Sequence, residues 1–157
     1  VGERQAARER RRAREFEAFV GGAGGRLLHA AALLTGEEAP HREAAERLLT
    51  AALARTYAAW DQLRGEDPYD RTRQELTARF AHAAWHRRPA RTGVLGGLSR
   101  QERLILVLRL YEGVADEQIA AQLGLPVERV RALCTRAVAA MRSNAPAAGR
   151  RAEMAAP

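Results

Sequence analysis

DEQIAAQLGLPVERVRALCTRAVAAMR, residues 116–142, decides how the chain is read. Ile119 and Leu123 recur one helical turn apart and face inward from a first short helix. Ala120 is small enough to let a second helix cross close by. Gly124 takes the tight turn, where a positive φ is easy only for glycine. Leu125 fills the corner, and Pro126 stands where the next helix starts. In that second helix Val127, Val130, Cys134, Ala137 and Met141 share one face, which is the buried one. Glu128, Arg129, Arg131, Ala132, Thr135 and Arg136 share the other. A helix held on two apolar anchors, with arginines on its outer face, is built to enter a major groove. An ordinary helical hairpin would not need the small–Gly–apolar spacing or the outward arginines.

Upstream, Ser99 and Glu102 have the spacing of a capping box. Ser accepts from the amide three residues on, and Glu reaches back. LILVLRLY, residues 104–111, is the buried helix that follows, and Gly113 closes it. PARTGVLGG, residues 89–97, has one Pro and three Gly in nine residues and reads as a linker. Beyond residue 142 the chain is rich in Ala, Pro and Gly and is expected to be disordered.

The first half is also helical. Residues 1–13 form a basic extension, either an arm or the solvated start of a helix, the latter being favoured. Phe16, Phe19 and Val20 supply an apolar edge. GGAGG, residues 21–25, has four glycines in five and predicts an interruption. A short helix then ends at Gly36. Pro40 predicts the start of another running to about Leu63, with Ala45, Leu48, Leu49, Ala52, Leu53, Tyr57 and Trp60 on one face. EDPYD, residues 66–70, is a charged turn at a helix start, where acids suit the dipole. That fourth helix runs to about residue 88. No alternating strand pattern occurs, so the fold is expected to be all-α. It divides into a helical module at residues 14–88, a linker at 89–97, a helix-turn-helix module at 98–142 and a tail at 143–157.

The chain has 157 residues, a formal charge of +7 and 26 basic residues, all of them Arg. Guanidinium forks fit phosphates and base edges, which points to nucleic acid. GC-rich coding would give the same composition. One cysteine, Cys134, rules out an internal disulfide and reads as a small core residue. No apolar run could span a membrane and no signal pattern opens the sequence, so a cytoplasmic protein is expected, without membrane partners. His82 and His86 are four residues apart, but no third ligand accompanies them beyond Glu75, two turns back. No metal and no cofactor is expected. The glycine run lacks the Lys and the preceding strand of a phosphate loop. No catalytic constellation is visible, so the chain does not read as an enzyme.

LSRQERLILVLRLYEGVADEQIAAQLGLPVERVRALCTRAVAAMR, residues 98–142, resembles region 4 of bacterial extracytoplasmic-function sigma factors, above all the actinobacterial type. FEAFVGGAGGRLLHAAALLTG, LARTYAAWDQL and AAWHRR resemble parts of region 2. In that family region 4 reads the −35 promoter element, while region 2 binds the clamp of RNA polymerase and opens the −10 element. The resemblance implies promoter contacts at Arg129, Arg131, Ala132, Thr135 and Arg136. It places Trp85, His86, Arg87 and Arg88 near −10 DNA, where an aromatic beside arginine stacks on a base. Trp85 reads equally well as a core anchor at a helix end.

Three departures from the family pattern stand out. The polymerase-docking run is replaced by Arg47, Leu48, Thr50 and Ala51. Arg47, Thr50 and Ala51 stand where Asp, Gln and Glu are expected, and Arg47 would repel a basic clamp surface. Arg79 lies near the position of the family's −10 Asn. The nine-residue linker reaches at most roughly 32 Å, against promoter elements roughly 34–68 Å apart. The expectation is a sigma-like transcription regulator that binds promoter DNA, with an altered RNA polymerase-docking half. The alternative is a protein-interaction module that binds an anti-sigma factor or another regulator. A short tether also raises the concentration of each module for the other, which favours a closed form with the recognition helix covered.

Overall fold

The computed structural model describes residues 1–83 and 93–154, with the side chains of 145–154 excepted. It is all-α, and no strand occurs among the described residues. The order is α1 (Gly2–Thr35), α2 (Glu43–Ala58), a 3-10 turn (Trp60–Gln62), α3 (Pro68–His82), α4 (Arg100–Leu106), a π-helical turn (Val107–Tyr111), α5 (Asp116–Leu123) and α6 (Val127–Met154).

The expected interruption at residues 21–25 does not occur: α1 runs unbroken through it. Glycine costs about 1 kcal/mol relative to Ala in a helix interior, but packing holds both flanks. On one side Phe16 lies 4.8 Å from the Tyr57 ring and 5.3 Å from Trp60. On the other, Leu27, Ala30, Ala31 and Leu34 are buried. Burying a leucine contributes about 1.5–3 kcal/mol, which offsets the local penalty. Gly36 ends the helix in the left-handed region at φ 76°, as its position predicts.

Pro40 lies in the loop rather than at the start of α2, which begins at Glu43 with Arg42 as N-cap. The first-turn amides find their acceptor elsewhere. The Glu37 carboxylate accepts from Ala44 N–H at 3.0 Å and from Ala45 N–H at 3.2 Å. Asp67 caps α3 by accepting from Tyr69 N–H, with Pro68 in the first turn. Buried Thr56 and Thr72 share a hydrogen bond of 2.9 Å that joins α2 to α3.

In the second half the capping box forms as expected. The Ser99 hydroxyl accepts from Glu102 N–H at 3.2 Å, and Glu102 accepts from Ser99 N–H at 3.0 Å. The helix then widens into the π turn, whose Leu108 is fully buried. Gly113 and Gly124 take positive φ of 70° and 66° at the two turns that follow. The backbone of α6 continues to Met154, where the sequence predicted a disordered tail. The stretch holds four alanines, the strongest helix former, but also Pro146 and Gly149, so helix propensity alone does not account for it.

One continuous core joins both halves. Leu27, Leu34, Leu76 and Phe80 from the first half cluster with Leu95, Ile105, Leu108, Ile119 and Val130 from the second. Two polar devices reinforce the junction. Arg103 is 1% exposed and donates to Leu95 O at 2.8 Å and to Leu34 O at 3.5 Å. The Glu112 side chain, 2% exposed, faces Arg26 at 3.9 Å, Arg73 at 3.7 Å and the Tyr69 hydroxyl at 2.9 Å. Arg100 stacks 4.6 Å above the Phe80 ring.

Candidate nucleic-acid interface

Helices α5 and α6 meet at the Gly124 turn, whose N–H bonds back to Ala120 O. Leu125 N–H bonds to the same carbonyl at 3.0 Å, and Pro126 O accepts from Arg129 and Val130 to start α6. Ile119 and Ala120 are buried beneath the crossing. The turn therefore fixes the angle at which α6 leaves the body.

The two faces of α6 separate cleanly. Val130, Leu133 and Ala137 are buried. Glu128, Arg129, Arg131, Ala132, Thr135 and Arg136 are all exposed. Leu133, rather than the Cys134 expected from the sequence, completes the buried stripe. The i, i+3, i+7 spacing of residues 130, 133 and 137 carries that signal. Cys134 is half-buried, and burial, with the nearby Asp116 charge, pushes its thiol pKa up, so it stays protonated at neutral pH.

The exposed arginines differ in their surroundings. Arg131 is held by three carboxylates. Its Nη1 lies 2.8 Å from Glu128, its Nη2 3.0 Å from Glu117 and its Nε 3.4 Å from Asp116. The nearby acids, Glu128 foremost, raise its pKa further. Asp116 also binds Arg109 at 3.0 Å. Arg136 lies 3.8 Å from Glu102 and is otherwise open, its side chain 62% exposed. Arg129 has no ion pair among the described residues.

The two halves pack together, but their packing leaves this face uncovered, where the short tether favours a closed form with the recognition helix covered. The junction instead falls on one face of α3, at Tyr69, Arg73, Thr77 and Phe80. Leu76, Thr77 and Phe80 are buried, and Gln122 of α5 donates to the Thr77 hydroxyl. Arg79 is half-buried. Trp85, His86, Arg87 and Arg88 lie outside the described residues. On α2, Arg47 and Thr50 are exposed while Leu48 and Ala51 are half-buried. Arg47, Thr50 and Ala51 line a shallow hollow with Glu43, Glu46 and Ala54. His82 is exposed, and the described residues contain no group of three metal-ligating side chains. Among them no helix is long and apolar enough to cross a membrane.

Residues 94–143 match the family model described as Sigma-70, region 4, which is less than half of the chain. The segment spans α4, the π turn, α5 and the first part of α6. Comparison with curated proteins gives no match.

Proposed function

We propose that the chain is a sigma-like, DNA-binding transcription regulator that reads one duplex promoter element with the outer face of α6. The observation that carries this is the separation of that helix into a buried anchor, Val130, Leu133 and Ala137, and an open face bearing Arg129, Ala132, Thr135 and Arg136. Its similarity to sigma-70 region 4 supports the same reading.

Each exposed side chain has a chemistry suited to the groove. Arg129 and Arg136 offer bidentate forks to guanine or to phosphate. Ala132 is small enough to let the helix seat deeply and can meet a thymine methyl. The Thr135 hydroxyl donates or accepts. Residues 14–88 are read as a region-2-like domain, of the extracytoplasmic-function type, acting in the cytoplasm. RNA polymerase core is the second partner in this reading. Its docking surface is altered, because Arg47 and Thr50 point to solvent where an acidic and amide surface would be needed.

A specific observation also favours the interaction-module reading. With one face of α3, from Tyr69 to Phe80, packed against the second half, the two halves form one body around one core. Such a body does not reach two promoter elements at once while it stays closed. An anti-sigma factor or another regulatory protein is then the partner.

Fluorescence anisotropy of the full chain on a labelled duplex, across a salt series, tests the leading reading. Affinity should fall steeply with salt. Arg129→Ala and Arg136→Ala should each weaken binding by about 1 kcal/mol or more. Salt-independent binding that neither variant changes would move the case to the interaction module. Tight stoichiometric binding to core polymerase, with run-off transcription, would overturn the altered-docking part.

A further inference from the structure

The Arg131 guanidinium has each of its three nitrogens against a different carboxylate: Asp116 at 3.4 Å, Glu117 at 3.0 Å and Glu128 at 2.8 Å. The fork that would grip a guanine edge or a phosphate is therefore already taken. Two of the acids, Glu117 and Glu128, are well exposed, at 66% and 83% of their side chains. They stand beside the surface a nucleic acid would approach. Asp116 differs, because it is largely covered and also ties down Arg109.

We propose that Glu117 and Glu128 act as built-in competitors of DNA for Arg131, so that these two acids set the affinity of α6 together with its arginines. This rests on the reading of α6 as a DNA-binding helix. A polyanion must displace the two carboxylates before Arg131 can engage it. The same carboxylates repel the phosphates on either side. The arrangement weakens indiscriminate binding, because a random duplex has to break the cage without a matching base contact in return. At a matching site Arg131 exchanges carboxylate oxygens for base acceptors. Arg129 and Arg136, which lack such a cage, make the first contacts.

The experiment is duplex binding by anisotropy with a labelled 30-base-pair DNA of mixed sequence, for the wild type, Glu117→Gln, Glu128→Gln, the double variant, and the double variant carrying Arg131→Ala. Glutamine keeps size and helix propensity and removes only the charge. Each single variant should bind about fivefold more tightly, with the salt dependence steepened by about one phosphate contact in the double variant. Arg131→Ala should remove most of that gain, leaving only the part that comes from lost repulsion. Unchanged affinity and slope in both single variants would overturn the inference while leaving α6 a DNA reader. A gain that survives Arg131→Ala in full would overturn it too, since the acids would then act by repulsion alone. Weaker binding would show a glutamate accepting from a cytosine amino group, again against the inference. No binding by any form, wild type included, would overturn the DNA-binding reading and this inference with it.

Discussion

The Glu112 carboxylate lies 2.9 Å from the Tyr69 hydroxyl, and this contact joins the end of the π turn to the start of α3. Arg26 and Arg73 complete the surroundings, so a buried anion from one half meets a hydroxyl and two cations from the other. Arg26 is half-exposed and contributes little by charge alone. Arg73 is 13% exposed and would lose one of two acidic partners, keeping Asp70 at 3.0 Å. Glu112→Ala should therefore cost about 1–3 kcal/mol, and Tyr69→Phe about 1 kcal/mol. Urea unfolding measures both, and a loss below about 0.5 kcal/mol for Glu112→Ala would remove this junction from the list of stabilising contacts.

The same contact gives the fold an alkaline limit. Burial first, then Glu112, pushes the Tyr69 pKa from 10.0 up to about 12. The protonated phenol is thus favoured by folding. Its contribution is fully present below pH 10 and is lost as pH rises towards 12, because the unfolded chain gives up the proton first. Wild-type stability should fall across that window more steeply than that of Tyr69→Phe. Parallel curves from thermal melts between pH 9 and 12 would exclude Tyr69 as the group responsible.

Gly22 shows where local propensity misled. Four glycines in five residues predict a break, yet α1 is continuous, because aromatic packing before the run and leucine burial after it fix both ends of the same helix. That information is tertiary and does not lie in the five residues. No atom lies within 4 Å of a Cβ built at Gly22. Gly22→Ala should then stabilise by about 0.5–1 kcal/mol and raise the melting temperature by about 2–4 °C. A destabilising result would mean that the helix needs glycine there for a reason other than space.

The C-terminal half was far more legible, because its signals are local. The Ser99–Glu102 box, Gly113, the Gly124 turn and the outward set from Glu128 to Arg136 all follow from spacings of a few residues. The pairing of Glu128 with Arg131, three apart on one helix, was also readable. The contacts of Arg131 with Asp116 and Glu117 were not, since they depend on how α5 crosses α6. Nor could the sequence show that a face of α3, and not the outer face of α6, is what the packing of the halves engages. That choice rests on contacts such as Arg100 over Phe80 and Gln122 to Thr77.

Arg103 is the clearest case of a charge that its position in the sequence does not explain. It stands in α4 where a polar first turn gives way to Leu104, Ile105 and Leu106, and it is almost wholly buried, with burial, and after it Arg100, lowering its pKa. Its guanidinium ties Leu34 O at the end of α1 to Leu95 O in the segment before α4. Arg103→Ala removes the packed stem and those donors together and should cost about 3 kcal/mol. Arg103→Met keeps most of the stem and should lose less. Denaturant midpoints decide it. Equal losses in the two variants would assign the whole effect to hydrogen bonding and none to packing.

The last prediction links the junction to the interface. Arg129, Thr135 and Arg136 are exposed while the two halves share one core. If α6 reads DNA, the halves need not separate for it to do so. Glu112→Gln, which keeps shape but removes the charge, should lower stability yet leave affinity for a short duplex within about a factor of two. The measurement is anisotropy at a temperature where wild type and variant are both fully folded by circular dichroism. A tenfold gain in affinity would show that the closed packing hinders α6 after all, through long-range charge or through the angle at which the second half is held. Unchanged affinity beside reduced stability would leave the junction as a device of the fold, with α6 open to DNA in the closed body.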